Sequence, residues 1–350
     1  MHPTTTGHHS GPAHPRPARL GRRAALLLAV VALLATACGG AVADESEEGP
    51  AIVVTTSILG DVTTQLAGDA AQVTVLMDAG ADPHNFEPSA RQLGELTDAD
   101  LIVANGGGLE AQLAGPIDEA ERAGVPVFRA TDHIDLLPAG EHADDDSEPA
   151  ESGEPDDDHT DDSEHAEDED MHGDADPHFW MDPLRMVEVA RALGRQVGEV
   201  TDAPQRSSDR TQRYVAELRD LDERVEATLA DVPDDRRTLV TNHETLGYFA
   251  DRYGFTVVGT VIPGVTTGAE PSARDIEALT RAIQDTGVRA IFTDSTAPAD
   301  LAQTLAAEAG TDVQVVQLHS EALGRSDSRA TTYVDMLETD AGRIARALGG

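Results

Sequence analysis

Three histidines stand in settings suited to metal chemistry. Two share one tripeptide, Asp82-Pro83-His84 and Asp176-Pro177-His178, and the third lies in Asn242-His243-Glu244. Proline locks its own φ, which limits how far each loop and its imidazole can wander and lowers the entropy lost on ligation. Neutral imidazole is a good ligand for Zn(II), and three imidazoles with one carboxylate close a tetrahedral shell. His133 has no such setting and reads as structural. Nucleophilic chemistry finds little support: Ser57, Ser89 and Ser295 lie in no Gly-x-Ser-x-Gly elbow. Gly106-Gly107-Gly108 has neither the GxGxxG spacing nor a lysine, so it reads as a turn.

The elements that must position these histidines alternate. Apolar, β-branched runs predict buried parallel strands at 52–56, 73–77, 101–104 and 125–128, with helices over 89–97 and 109–122. Helical patterns follow at 183–200 and 205–229, the second long and rich in charge. The alternation then resumes, with strands at 238–241, 256–259, 290–293 and 313–318 and helices at 244–253, 272–285, 299–309 and 331–348. The expected fold is α/β: two similar parallel-sheet lobes joined by one long connecting helix, with a metal site between the lobes. His84 follows the strand ending at Met77 and His243 the strand ending at Thr241. Carboxyl ends of parallel strands are where α/β folds place ligands.

Composition narrows the partner. The chain has 350 residues and a formal charge of -40, and all 25 basic residues are Arg. Nucleic acid is therefore disfavoured as a partner, whereas a cation is not. Aromatics are only 3%, too few for broad stacking surfaces. Residues 139–176 hold 19 acids, no base and four histidines, His142, His159, His165 and His172. No core can form from that composition, so a disordered loop is expected there, acting as an auxiliary metal-collecting arm.

The N-terminus carries four arginines and no acid, then an apolar run over 24–37 that ends in small residues before Cys38. That order is a lipoprotein signal peptide, and the run is too short to span a bilayer comfortably. The lone cysteine excludes an intramolecular disulfide and a thiolate zinc cluster, and it is the expected point of lipidation. The expected organisation is a signal peptide over 1–37, a tether over 38–50 and an N-terminal lobe over 51–200. The connecting helix then takes 201–236 and the C-terminal lobe 237–350.

Longer motifs carry a family resemblance. The stretches are Asp82-Pro83-His84-Asn85-Phe86-Glu87-Pro88-Ser89, Asp176-Pro177-His178-Phe179-Trp180-Met181-Asp182-Pro183 and Asn242-His243-Glu244-Thr245-Leu246-Gly247-Tyr248-Phe249-Ala250. They resemble the zinc and manganese substrate-binding lipoproteins of bacterial ABC importers, the ZnuA/TroA type, from about Ile52 to the last helix. The resemblance implies His84, His178 and His243 as ligands, with a fourth, acidic ligand before the final helix. The family usually has Asp there; this chain has Glu321, with His319 and Asp294 as alternatives. His at the third position belongs to the zinc-preferring members, and replacing oxygen by imidazole favours Zn(II) over Mn(II).

The implied protein is no enzyme. It is a monomeric, palmitate-bearing lipoprotein on the outer face of the cytoplasmic membrane, held there by its lipid anchor. It captures Zn(II) as transported ligand and passes it to an ABC-importer permease and its ATPase. The alternatives are a manganese receptor of the same family, a secreted zinc hydrolase or a surface adhesin. Three histidines plus a carboxylate leave no open position for a catalytic water, which counts against the hydrolase.

Overall fold

Among the described residues, eight short strands form two four-stranded sheets of identical topology. A computed structural model describes residues 49–139, 175–310 and 313–349. The expected signal peptide, Cys38 and the four histidines of the expected acidic arm lie outside the described residues. The N-terminal lobe holds β1 (Ala51–Val54), α1 (Ser57–Ala67), β2 (Gln72–Val75), α2 (Ala90–Thr97), β3 (Leu101–Ala104), α3 (Ala111–Arg122) and β4 (Val127–Arg129). Two helices follow, α4 (Pro183–Val200) and α5 (Pro204–Leu229). The C-terminal lobe holds β5 (Thr238–Thr241), α6 (Gly247–Tyr253), β6 (Thr256–Thr260), α7 (Ala273–Thr286), β7 (Ala290–Asp294), α8 (Asp300–Glu308), β8 (Gln314–Leu318) and α9 (Tyr333–Gly349).

All pairings are parallel, in the order β2-β1-β3-β4 and again β6-β5-β7-β8. In each sheet the strand order reverses beside the first strand, which opens a crevice at the carboxyl ends. Side chains alternate across the sheet, so Ile52 and Val54 face one side and Val53 the other. The outer side of the N-terminal sheet packs Val53 and Ile102 against Leu96, Leu113 and Ile117. The outer side of the C-terminal sheet packs Val240 and Ile291 against Ile283 and Leu305.

The inner sides meet in one continuous core. Ile52, Val103, Ile58 and Val62 of the first lobe join Leu193 of α4, Leu218 and Leu221 of α5, and Leu239, Phe292, Leu337 and Ile344 of the second. A fully buried aliphatic side chain contributes roughly 1.5–3 kcal/mol, against about 1 kcal/mol net for a hydrogen bond. The long helix α5 is therefore embedded in the core that unites the lobes. Its close approach to α4 depends on Gly194, where an added Cβ would run into Thr211 Oγ1.

Three local differences from the sequence reading have physical causes. The reading names no helix between β1 and β2, yet α1 stands there, with the Thr56 hydroxyl accepting the Leu59 amide at its start. Its Gly60, Val62, Thr63 and Thr64 are weak helix formers, and burial of Ile58, Leu59, Val62 and Leu66 overrides them. The helix expected from Glu244 begins only at Gly247, because the carbonyl of His243 is taken by the Thr245 amide in a tight turn. The acidic arm is expected to run to Asp176, yet Ala175 and Asp176 are held by the N-terminal lobe. Ala175 bridges to Pro138, and the Asp176 amide donates to the Leu137 carbonyl.

Candidate metal centre

His84 and His178 sit on turns of the same construction. In each, the aspartate two residues earlier accepts the histidine amide at 2.9 Å, to Asp82 Oδ1 and to Asp176 Oδ1. The second turn goes further: Asp176 Oδ1 also lies 2.7 Å from His178 Nδ1. That contact fixes the ring and leaves Nε2 to point inward. Behind it, Asn105 Nδ2 donates to the Pro177 carbonyl at 3.1 Å. Beyond it, Asp182 caps α4 by accepting the Leu184 amide, with Pro183 at the first helical position.

His243 follows β5 directly, in the tight turn that delays α6. The Thr241 hydroxyl donates to the His243 carbonyl at 2.6 Å, which holds the turn. Glu321 follows β8, with its amide donating to Asp294 Oδ2 at 3.0 Å. Asp294 Oδ2 also accepts from the Ser320 hydroxyl, and its other oxygen takes the Thr296 amide. Asp294 thus aims the Glu321 loop with both oxygens engaged there, and it is not a member of the cluster. Trp180 Nε1 donates to the Ser320 carbonyl at 2.8 Å and the Tyr333 hydroxyl to the Trp180 carbonyl at 2.7 Å, tying the His178 and Glu321 loops together across the lobes.

The structure brings His84, His178, His243 and Glu321 into one group whose donor atoms all lie within 4.8 Å of one another. Their side chains are nearly sealed, with His84 4% exposed and the other three 0%. Glu321 Oε1 is 3.5 Å from His178 Nε2 and 3.3 Å from His243 Nε2, while Oε2 is 3.4 Å from His84 Nε2. The Nε2 atoms of His84 and His178 are 3.3 Å apart. Ligands at Zn–N and Zn–O distances of about 2.0–2.1 Å in a tetrahedron are separated by about 3.3–3.4 Å. His243 Nε2 and both Glu321 oxygens make no aligned hydrogen bond although buried. Those three atoms converge with the paired Nε2 atoms of His84 and His178 on one small space, and buried polar atoms are seldom left without a partner.

Electrostatics match that geometry. Burial opposes ionisation of Glu321, yet the surrounding His178, His243 and His84 outweigh it and hold its carboxyl well below the usual carboxylate range. Burial likewise lowers the affinity of His178 for a proton, but Glu321 and Asp176 overcome it and the net shift is upward. An anionic carboxylate among three imidazoles is a place for a cation.

His319 and His133 are placed elsewhere. The His319 ring stands between the hydroxyls of Ser295, 3.0 Å from Nδ1, and Ser328, 3.3 Å from Nε2, and its amide donates to Asp340. His133 stacks on Phe128 with ring centroids 4.5 Å apart. Sequence reasoning missed Asp176 as a ring partner, Trp180 as the cross-lobe tie and Asp294 as the support of Glu321. For Asp176 the signal was present in the repeated Asp-Pro-His tripeptide; for the other two no local pattern exists.

Two matched parallel-sheet lobes around a buried cluster of three imidazoles and a carboxylate define a two-lobed α/β fold with a candidate metal centre. Residues 52–347 match the family described as ZnuA, zinc-uptake complex component A periplasmic, and the chain belongs to that family. It is 28% identical over 316 residues to the zinc-binding lipoprotein AdcA of Streptococcus pneumoniae, covering 89% of this chain and 58% of that protein. It is 27% identical over 324 residues to the manganese-binding lipoprotein MntA of Halalkalibacterium halodurans, covering 89% of this chain and 93% of the relative. The periplasmic zinc-binding protein TroA from Treponema pallidum superposes with a TM-score of 0.72 at 26% identity, over 86% of this chain and 99% of that one. The chain thus spans little more than half the length of AdcA and nearly all of MntA and TroA.

Proposed function

We propose that the protein captures Zn(II) outside the cytoplasmic membrane and delivers it to the permease and ATPase of an ABC importer. His84, His178 and His243 supply Nε2 donors and Glu321 the fourth, anionic donor. Cys38 carries the lipid that keeps the receptor, a monomer, at the membrane, and the acidic arm with His142, His159, His165 and His172 gathers metal for it. The observation that carries the reading is the convergence of three Nε2 atoms and the Glu321 carboxylate, with one donor per residue all within 4.8 Å of one another and four contacts of 3.3 to 3.5 Å among them. A closed shell of that kind binds an ion and leaves no position for a catalytic water.

A manganese receptor is the second reading, favoured by the likeness to MntA along 93% of that relative. The donor set argues against it, since Mn(II) prefers oxygen-rich shells of higher coordination number. Elemental analysis of protein purified without added metal, followed by competition between Zn(II) and Mn(II), tests the choice. Zinc should co-purify near one ion per chain and displace manganese. Manganese retained against equimolar zinc would sink the zinc reading.

A further inference from the structure

We propose that Thr267 is a positioning residue for the metal site: its hydroxyl latches the C-terminal lobe onto the Asp82 turn that carries His84, and so governs how fast metal leaves. The proposal rests on the reading of His84 as a ligand. Thr267 lies on the segment between β6 and α7, and its Oγ1 donates to Asp82 Oδ2 at 2.7 Å. Asn85 Nδ2 donates to Thr267 Oγ1 at 2.7 Å and to the same Asp82 oxygen at 2.9 Å. Carboxylate, hydroxyl and amide thus close a triangle, while the other oxygen of Asp82 holds the His84 amide at 2.9 Å.

The position of this triangle gives it its role. Behind the site the lobes are joined through a shared apolar core and through Trp180 and Tyr333. On the His84 side they are joined by these polar side chains. His84 is also the member of the cluster with exposed side-chain surface, 4% against 0% for the other three, so solvent and an exchanging ion approach from there. His178 has a carboxylate on its ring and Glu321 has Asp294 behind its amide; the turn of His84 is held by Asp82, and Asp82 is held by Thr267. The Thr267 segment also holds the turn of its own lobe's ligand. The Gly264 carbonyl accepts the Glu244 amide next to His243, and the Ile262 amide donates to the Asn242 carbonyl at 2.7 Å. One segment therefore spans from the His243 turn to the His84 turn, and its hydroxyl is the point where it grips the far lobe.

The test compares Thr267→Val, which keeps the shape and loses the hydroxyl, with Thr267→Ser, which keeps the hydroxyl. Zinc is loaded on the full chain and displaced by a chelator in stopped flow, and hydrogen exchange of the His84 amide is followed in the metal-free protein. In Thr267→Val the dissociation rate should rise roughly 10-fold, the worth of one hydrogen bond to a charged group, with stoichiometry and association rate unchanged. Exchange at His84 should quicken as well, and Thr267→Ser should restore both to near wild type. A merely structural defect would not be rescued by serine while sparing the association rate. An unchanged dissociation rate in Thr267→Val overturns the proposal. If the wild-type chain takes up no zinc, the ligand reading of the site fails instead. The His84 amide then decides the latch alone, faster exchange in Thr267→Val supporting it and equal exchange overturning it.

Discussion

The two Asp-Pro-His turns begin from the same three residues and end as different devices. At the back of the site, Asp176 is 3% exposed and spends one oxygen on both the amide and the ring of His178. At the front, Asp82 is half-buried, binds the amide of His84, and turns its second oxygen outward to Asn85 and Thr267. The back aspartate therefore controls the chemistry of its imidazole, whereas the front aspartate controls the position of its loop. The lesson is that a tripeptide encodes a turn, while burial and the surrounding elements decide what the spare carboxylate oxygen does.

The harshest way to break this comparison is to remove the rings themselves. His178→Ala and His84→Ala should each weaken Zn(II) binding by more than about 100-fold, beyond the range typical of losing an outer partner of a ligand. Competition titration against a chelator of known strength measures it. A His84→Ala variant that binds as wild type would show the front turn to be structural only.

Next in size is the difference between the aspartates. Asp176→Asn keeps the shape but removes the charge beside His178 Nδ1, so affinity should fall about 10- to 100-fold. Asp82→Asn touches no ring but neutralises the acceptor of Thr267 and Asn85, so its cost should be about the 10-fold expected of the Thr267 latch and stay below that of Asp176→Asn. Equal losses in the two variants, by calorimetry, would erase the distinction drawn here.

The comparison also has a pH signature. His178 binds its proton more tightly than an ordinary imidazole, because Glu321 and Asp176 outweigh the effect of burial. Metal needs the neutral ring, so affinity for Zn(II) should begin to fall at a pH above about 6.5 as the solution is acidified. The metal-free protein responds with the opposite sign. The stability it draws from protonated His178 is fully present below about 6.5 and is lost as pH rises through the raised value. In Asp176→Asn one of the three raising carboxylates, Glu321, Asp176 and Glu244, is gone, and the onset should move to lower pH. Paired titrations of wild type and variant between about pH 5 and 8 test this, and coincident curves would remove Asp176 from the account.

A separate effect is expected on folding of the metal-free chain. Asp176→Asn disturbs a buried hydrogen-bonded acceptor and should cost about 1–3 kcal/mol, and Asp82→Asn, at the half-exposed front, about 1 kcal/mol or less. Denaturant unfolding resolves the two. A larger loss at Asp82 would mean that the front latch contributes more to the union of the lobes than the core geometry implies.

Much of this architecture is legible along the chain. The strand over Leu101–Ala104 is a continuous apolar run with Gly106 close behind it, and helix α4 opens on Asp182-Pro183; both signals are local and both elements stand as read. The sequence pattern starts two helices at Ser89 and Ser272, but these residues serve as caps, with Gln92 and Asp275 reaching back to them, a shift of one residue. Helix α1 escaped notice because its stability comes from the inner core rather than from its own residues.

What the sequence by itself determined was the period of each segment, the turns that present His84 and His178, and the excess of negative charge that suits a cation. The tertiary structure alone decided which group completes the cluster. His319, Ser320 and Glu321 are consecutive, and nothing in their spacing ranks them. Past the end of β8, the amide of His319 is taken by Asp340 of α9 and its ring by two hydroxyls, while Asp294 at the end of β7 holds the amide of Glu321. The chain turns between those two anchors, so His319 faces Ser295 and Ser328 and Glu321 faces the three imidazoles. Both anchors lie about twenty residues or more from the group they orient, Asp340 after it and Asp294 before it. Contacts at such separation arise from the packing of α9 and the parallel register of β7 with β8, which no local pattern contains.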